Sequence, residues 1–160
     1  MTGNGAENGS RVESVTFRAW RQDGPAPLAP MGRRYVTVNE LLVRLGSFGL
    51  GLTWRVRFYE DGGRLAGIVQ LSEAGVGTLE LLALLPSDLQ AIDADFVGYR
   101  GTERVLVLRE FDSSSWELLT ADAWVLGEIR RHFPDTAPLA MECWEETPWW
   151  EQPLPKNWGE

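Results

Sequence analysis

Apolar and polar positions alternate most regularly at residues 52–60, where Leu52, Trp54, Val56 and Phe58 interleave with Thr53, Arg55, Arg57 and Tyr59. Successive side chains of a strand point to opposite faces, so this run predicts a β-strand with one buried and one wet face. Asp61-Gly62-Gly63 follows, suited to the positive φ angles of a tight hairpin loop, and residues 64–72 are expected to return as the second strand. Residues 12–20 read as an earlier strand with Val15, Phe17 and Ala19 on one face. After Gly75-Val76-Gly77, residues 78–85 continue the meander as a third strand, or form a helix through their Leu-rich run. A second hairpin is expected from residues 95–99 and 104–111 around Gly101-Thr102-Glu103. Val105, Leu106, Val107 and Leu108 make both faces of its second strand apolar, which marks a central position. Residues 116–119 read as a further short strand beyond a turn at 112–115.

Helical spacing appears in two places. Thr37 with Glu40 three residues later matches a capping box, and Val38, Leu41, Leu42 and Leu45 form an apolar stripe ending near Gly46 or Gly49. Thr120 is expected to cap a later helix bearing Ala123, Trp124, Leu126, Ile129 and Phe133. Arg130, Arg131 and His132 occupy its last turn, where the helix dipole favours cations, and Pro134 closes it. Ser87 after Pro86 opens a single helical turn over 87–92, and Pro25, Pro27 and Pro30 place a surface loop at 22–33. The sum is an α+β fold: a mostly antiparallel sheet of about five or six strands, two main helices, and an extended C-terminal tail rich in Trp, Pro and Glu. Residues 1–10 read as a disordered leader, 11–141 as one α+β domain, and 142–160 as the tail, packed on the domain or on a partner.

That tail changes the picture most. Four of the eight tryptophans, Trp144, Trp149, Trp150 and Trp158, fall in the last 17 residues among Glu142, Glu145, Glu146 and Glu151. An indole couples a large apolar face to one N–H donor, so a cluster of them must bury against its own domain or another chain. Pro148, Pro153 and Pro155 exclude a regular helix and favour an extended path. Trp144, Trp149, Trp150 and Trp158 with Glu145 and Glu146 are therefore the candidate partner-binding residues. The partner is a second protein, or an identical copy joined by exchange of the tail.

Composition narrows the classes. The 160 residues are 44% hydrophobic and 24% charged, ordinary for a single folded domain. A net charge of −8 argues against nucleic acid, which needs a basic face to displace counterions from phosphates. No apolar run approaches the roughly 20 residues that cross a bilayer, so no membrane association is expected. Cys143 is the lone cysteine and residues 1–10 carry no targeting pattern, which points to a cytoplasmic setting. Arginine outnumbers lysine by 14 to the single Lys156, as in GC-rich bacterial genomes.

Chemistry-bearing patterns are sparse. His132 is the sole histidine, so His–His metal pairs are excluded, and Cys143 alone builds no zinc site. Cys143 reads as a half-buried small apolar residue. Gly49-Leu50-Gly51 and Gly75-Val76-Gly77 lack the third glycine of a dinucleotide fingerprint, and no phosphate-binding loop exists, so no cofactor is expected. Two carboxylate pairs at i and i+2, Asp93 with Asp95 and Glu110 with Asp112, would share a strand face and raise one member's pKa, although both also suit turns. Arg55 and Arg57 with Arg64 form either a small anion-binding face or a solvated one. The leading functional reading is a small cytoplasmic non-enzymatic protein-binding module, an inhibitor, immunity-type partner or accessory subunit, using an acidic, Trp-rich surface. The alternative is a small-molecule-binding protein or carboxylate-dependent enzyme with a cleft on the sheet, using Asp95, Glu110 and Asp112 among Trp54, Trp116 and Trp124.

Overall fold

The computed structural model describes residues 11–22, 32–61 and 63–160. The leader at 1–10, most of the proline-rich loop, and Gly62 of the Asp-Gly-Gly turn lie outside the described residues. Nine strands occur among those described: β1 (Glu13–Arg18), β2 (Trp20–Arg21), β3 (Arg34–Tyr35), β4 (Thr53–Phe58), β5 (Val76–Gly77), β6 (Ala94–Arg100), β7 (Glu103–Phe111), β8 (Ser115–Thr120) and β9 (Ala137–Pro138). Seven form one sheet in the order β5, β4, β6, β7, β8, β1, β9, with every neighbouring pair antiparallel. β2 and β3 make a separate two-stranded ribbon.

The apolar stretch in β7 explains its place at the middle of the sheet. Leu106 and Leu108 belong to one core, and Val107 between them belongs to a second. A strand buried on both faces needs cover on both sides. On the first side lie the helices α1 (Val38–Arg44), α2 (Gly46–Leu50), α3 (Ala66–Ser72), α4 (Thr78–Leu84) and α5 (Ala123–His132). They close over Val15, Phe17, Trp54, Val56, Phe96, Trp116 and Leu118 with Leu41, Leu42, Leu81, Val125 and Ile129. Trp54 and Trp116 settle their indole N–H groups inside this core, on Thr78 Oγ1 and the Val36 carbonyl, at 2.9 and 2.8 Å. The C-terminal segment covers the second side.

Helix α1 starts as its capping box requires, with Thr37 Oγ1 accepting from the Glu40 N–H at 3.2 Å. It stops at Leu45, after which Gly46 takes φ +52° and a separate short helix begins. Three sequence expectations are corrected. Residues 64–72 do not return as a strand, because the Asp61 carboxylate accepts the N–H groups of Gly63 and Leu65 at 2.9 and 2.6 Å and so launches α3. Leu65, Ile68, Val69 and Ser72 then fall on one helical face against the core or β4. The Leu-rich run after Gly77 is the helix α4, its alternative reading. The cap of α5 is Asp122, whose carboxylate accepts from the Val125 N–H at 3.0 Å, while Thr120 ends β8 and accepts from the Asp122 N–H. Residues 87–92 form a turn rather than a helical turn.

Among the described residues the sheet thus has seven strands instead of five or six, and five helices stand where two were expected. The added strands β5 and β9 are two residues long, too short to leave an alternating pattern. The C-terminal segment is not extended throughout either. Met141–Cys143 and Trp149–Glu151 each make a single 3-10 turn, the second entered from Pro148, whose fixed φ suits a helix start.

Candidate functional site

The face of the sheet opposite the helices is built from two cross-strand rows. Register aligns Arg57, Asp95, Arg109 and Glu117 across β4, β6, β7 and β8, giving charges of alternating sign. One step along the strands, Arg55, Val97, Val107, Leu119 and Ser14 form a second row with apolar residues at its centre. The C-terminal segment crosses both rows. Trp144 and Trp150 sink onto Val97, Tyr99, Val107 and Leu119, while Trp149, Leu154 and Trp158 pack partly buried at the margins.

Each docking step is fixed by a polar contact. Leu139 N–H donates to the Ser14 carbonyl at 2.9 Å and Trp144 Nε1 donates to Ser14 Oγ at 2.6 Å. Trp149 Nε1 donates to Asp95 Oδ2 at 2.9 Å, and Tyr99 OH donates to the Trp150 carbonyl at 3.3 Å. At the far end Trp158 Nε1 reaches the Gly101 carbonyl at 2.8 Å, and Gly159 N–H reaches the Ala74 carbonyl at 2.9 Å. Trp150 Nε1 is buried without a hydrogen-bond partner.

Asp95 and Arg109 hold the polar centre. Asp95 is buried and accepts from Tyr59 OH at 2.6 Å, Trp149 Nε1 at 2.9 Å and Arg109 Nε at 3.0 Å. Arg109 also donates to Glu145 at 2.8 Å, and its guanidinium lies 4.3 Å from the Trp144 ring centroid and 5.7 Å from that of Trp150. Burial pushes the Tyr59 phenol well above its ordinary value, and the bond to the Asp95 carboxylate adds to this. Burial likewise raises Glu117, against the pull of Arg109. Glu145 moves the other way: burial opposes ionisation, but the bond from Arg109 prevails and lowers its pKa.

No family model, curated protein or solved structure matches the chain. Its chemistry therefore rests on these residues alone. Among the described residues no group of three His, Cys, Asp or Glu side chains gathers to hold a metal, and no described helix is long and apolar enough to cross a membrane.

Of the tryptophans singled out in the tail, Trp144 and Trp150 are buried on the chain's own sheet, Trp149 and Trp158 partly so. Glu145 is engaged by Arg109, and Glu146 is exposed with no cationic partner among the described residues. Of Asp95, Glu110, Asp112 and Trp116, the first two line one cavity from opposite faces of the sheet, and Asp112 and Trp116 lie outside it. Asp95 faces the tail, whereas Glu110 pairs in register with Trp116 and lies on the helix side, 1% exposed and bonded by Tyr35 OH. Burial pushes Glu110 up to about 8, with the Ala91 backbone N–H pulling weakly the other way. Asp112 sits in a turn at φ +51° and donates its N–H to Asp93. Trp54 and Trp116 are core, and Trp124 is on the surface, stacked on Phe48.

Two further expectations are corrected. Arg55 is not on a wet face: it is 4% exposed beneath the tail, with Trp149 resting on it and on Arg57 at 5.1 and 4.4 Å from the ring centroid. Arg64 does not join them, because it precedes α3 instead of pairing with β4. Cys143 is exposed, not half-buried. His132 sits at the end of α5 between Glu128, 3.3 Å away, and Arg44. The sequence reading missed Arg109 and Ser14. Arg109 carried a signal, as the cation that directly follows the apolar run 105–108 of β7.

Two concavities open beside this network. A groove of about 530 Å³ runs between the tail and the β8 side of the sheet, its lining including Met141, Glu142, Trp144, Glu146, Pro148 and Trp150. A smaller cavity of about 290 Å³ lies at the end of β6 and β7, among Tyr59, Asp93, Asp95, Arg109, Glu110 and Phe111.

Proposed function

We propose that this chain is a small, cytoplasmic, non-enzymatic protein-binding module, of the inhibitor, immunity-type or accessory-subunit kind, that contacts its partner through the acidic surface built by the C-terminal segment. The observation that carries the reading is the division of labour within that segment. Its indoles anchor it to the sheet, while Glu142 and Glu146 are exposed with no cation against them among the described residues. Trp144 and Trp150 then act as the mould of the surface, and the carboxylates and half-exposed Met141 are what a partner meets. The exposed, unbridged Cys143 suits the reducing setting of this reading. The test is affinity capture on the full chain, followed by reconstitution with the purified partner. A complex of defined stoichiometry that weakens as salt is raised supports an acidic protein-binding face. Absence of such a complex, or one indifferent to salt, overturns it.

The second reading, a small-molecule-binding protein or carboxylate-dependent enzyme, draws on the 290 Å³ cavity, where half-exposed Tyr59 and Phe111 flank Asp93 and Asp95. Its weak point is that Asp95 is already saturated by three donors of the chain itself. A compound that raises the melting temperature of wild type but not of Tyr59→Ala would favour it.

A further inference from the structure

We infer that the groove between the tail and the sheet takes an arginine-rich segment of the partner, with guanidinium groups seated between Glu142, Glu146 and the lining indoles. This rests on the protein-binding reading above and adds the chemistry of what is bound. The groove joins two features that separately fit many occupants: apolar lining from Trp144, Trp150, Met141 and Pro148, and lining carboxylates that include Glu142 and Glu146. Together they match a side chain with a flat cation at the end of an apolar stem.

The chain recognises its own Arg109 in the same way, on the same two tryptophans, and other arginines pair with neighbouring tail residues. Arg109 lays its guanidinium 4.3 Å from the Trp144 centroid while donating to Glu145 at 2.8 Å. Arg104 pairs with Glu151, which follows Trp150 directly. Arg55 and Arg57 both lie over Trp149. Trp144, Trp149 and Trp150, each already in contact with a cation of the chain, are each followed by a glutamate within one or two residues. Glu142 and Glu146 stand beside the same rings and have no cation among the described residues. A guest guanidinium in the groove repeats with Glu142 and Glu146 the pairing that Arg109 makes with Glu145, meeting the small part of Trp144 and Trp150 that stays exposed, 7% and 4%. Charge complementarity points the same way, since Arg104 is the only basic residue lining the groove against four glutamates. Arginine is favoured over lysine because a planar guanidinium stacks on an indole and reaches a carboxylate bidentately, whereas an ammonium does neither as well.

The test is calorimetric titration of the full chain with hexa-arginine, hexa-lysine and hexa-citrulline peptides, the last an uncharged isostere of the first. The expected result is binding of hexa-arginine, severalfold weaker binding of hexa-lysine and none of hexa-citrulline. Glu142→Gln/Glu146→Gln should weaken the arginine peptide at least tenfold, while Glu80→Gln/Asp88→Asn, equal in charge change and remote in sequence, should alter it no more than twofold. Equal weakening by both double variants, or equal affinity for arginine and lysine peptides, overturns the groove as an arginine site. A reconstituted partner complex that survives Glu142→Gln/Glu146→Gln overturns the groove and leaves the binding-module reading standing. No stoichiometric partner complex in any variant overturns the reading on which it rests.

Discussion

Trp149 donates its indole N–H to Asp95 at 2.9 Å, joining a tail residue to a buried carboxylate 54 positions earlier. Through Asp95 the same contact reaches Arg109 and Tyr59, so one hydrogen bond connects the C-terminal segment to the charged row of the sheet. Trp149→Phe keeps most of the ring and removes the donor. It should cost about 1.5–3 kcal/mol in urea unfolding, the usual value for one bond to a charged acceptor. Asp95→Ala is predicted to be far worse, roughly 3–5 kcal/mol, because it leaves Arg109 with its Nε unpaired at an 11% exposed side chain. If both variants cost the same, the network is not organised around Asp95.

Gly75 limits how closely the end of the tail can approach. It holds φ +90°, and a Cβ there would lie 2.5 Å from Thr53 Cγ2 and 3.0 Å from Trp158 Cζ3. Gly75→Ala is therefore expected to lift Trp158 from the sheet, at a cost of about 1–3 kcal/mol from backbone strain and overpacking. Faster proteolysis near residue 158, with the rest of the chain still protected, is the pattern to look for. Unchanged protection would show that the contact with Trp158 is dispensable.

Removal of the C-terminal segment after Ala140 uncovers Val97, Tyr99, Val107 and Leu119 and leaves Asp95 and Arg109 without Trp149 and Glu145. A sheet stripped of one apolar cover is predicted to aggregate or lose cooperative unfolding. Size-exclusion chromatography and binding of a hydrophobic dye report this directly. A monomeric, cooperative shortened chain would mean the segment is an accessory to the fold.

These contacts mark where sequence reasoning reaches and where it ends. The central place of β7 was legible because Val105 to Leu108 is apolar at every position, and α1 because Thr37 and Glu40 carry their cap within four residues. Local hydrogen bonding by Asp61 defeated the hairpin reading of 64–72, a competition between turn and helix start that alternation does not reveal. That the tail adheres was legible from its tryptophans. What it adheres to was not, since the acceptors on Ser14, Asp95 and Gly101 lie 130, 54 and 57 residues away. That Asp95 and Glu110 reach their shared cavity from opposite faces was equally hidden: it depends on strand register, where a slip of one residue exchanges the faces.

Glu110 gives the clearest pH dependence. Its carboxyl is buried on the helix side of the sheet, takes a hydrogen bond from Tyr35, and has its pKa pushed up to about 8 by burial. In the unfolded chain it titrates near the ordinary glutamate value of about 4.3. The folded state therefore holds the proton more tightly, and the stability linked to Glu110 is complete below about pH 4 and falls as pH rises, until the folded group too is ionised above about 8. Glu110→Gln mimics the protonated acid and removes the titration. It should be within about 1 kcal/mol of wild type at pH 5 and more stable than wild type by roughly 1–3 kcal/mol at pH 9, where wild type must bury a charge. Urea unfolding of both proteins across that range isolates this group from every other carboxylate, because the remaining titrations cancel in the difference. A difference between the two proteins that stays constant with pH would show that Glu110 ionises in the folded chain as freely as in the unfolded one.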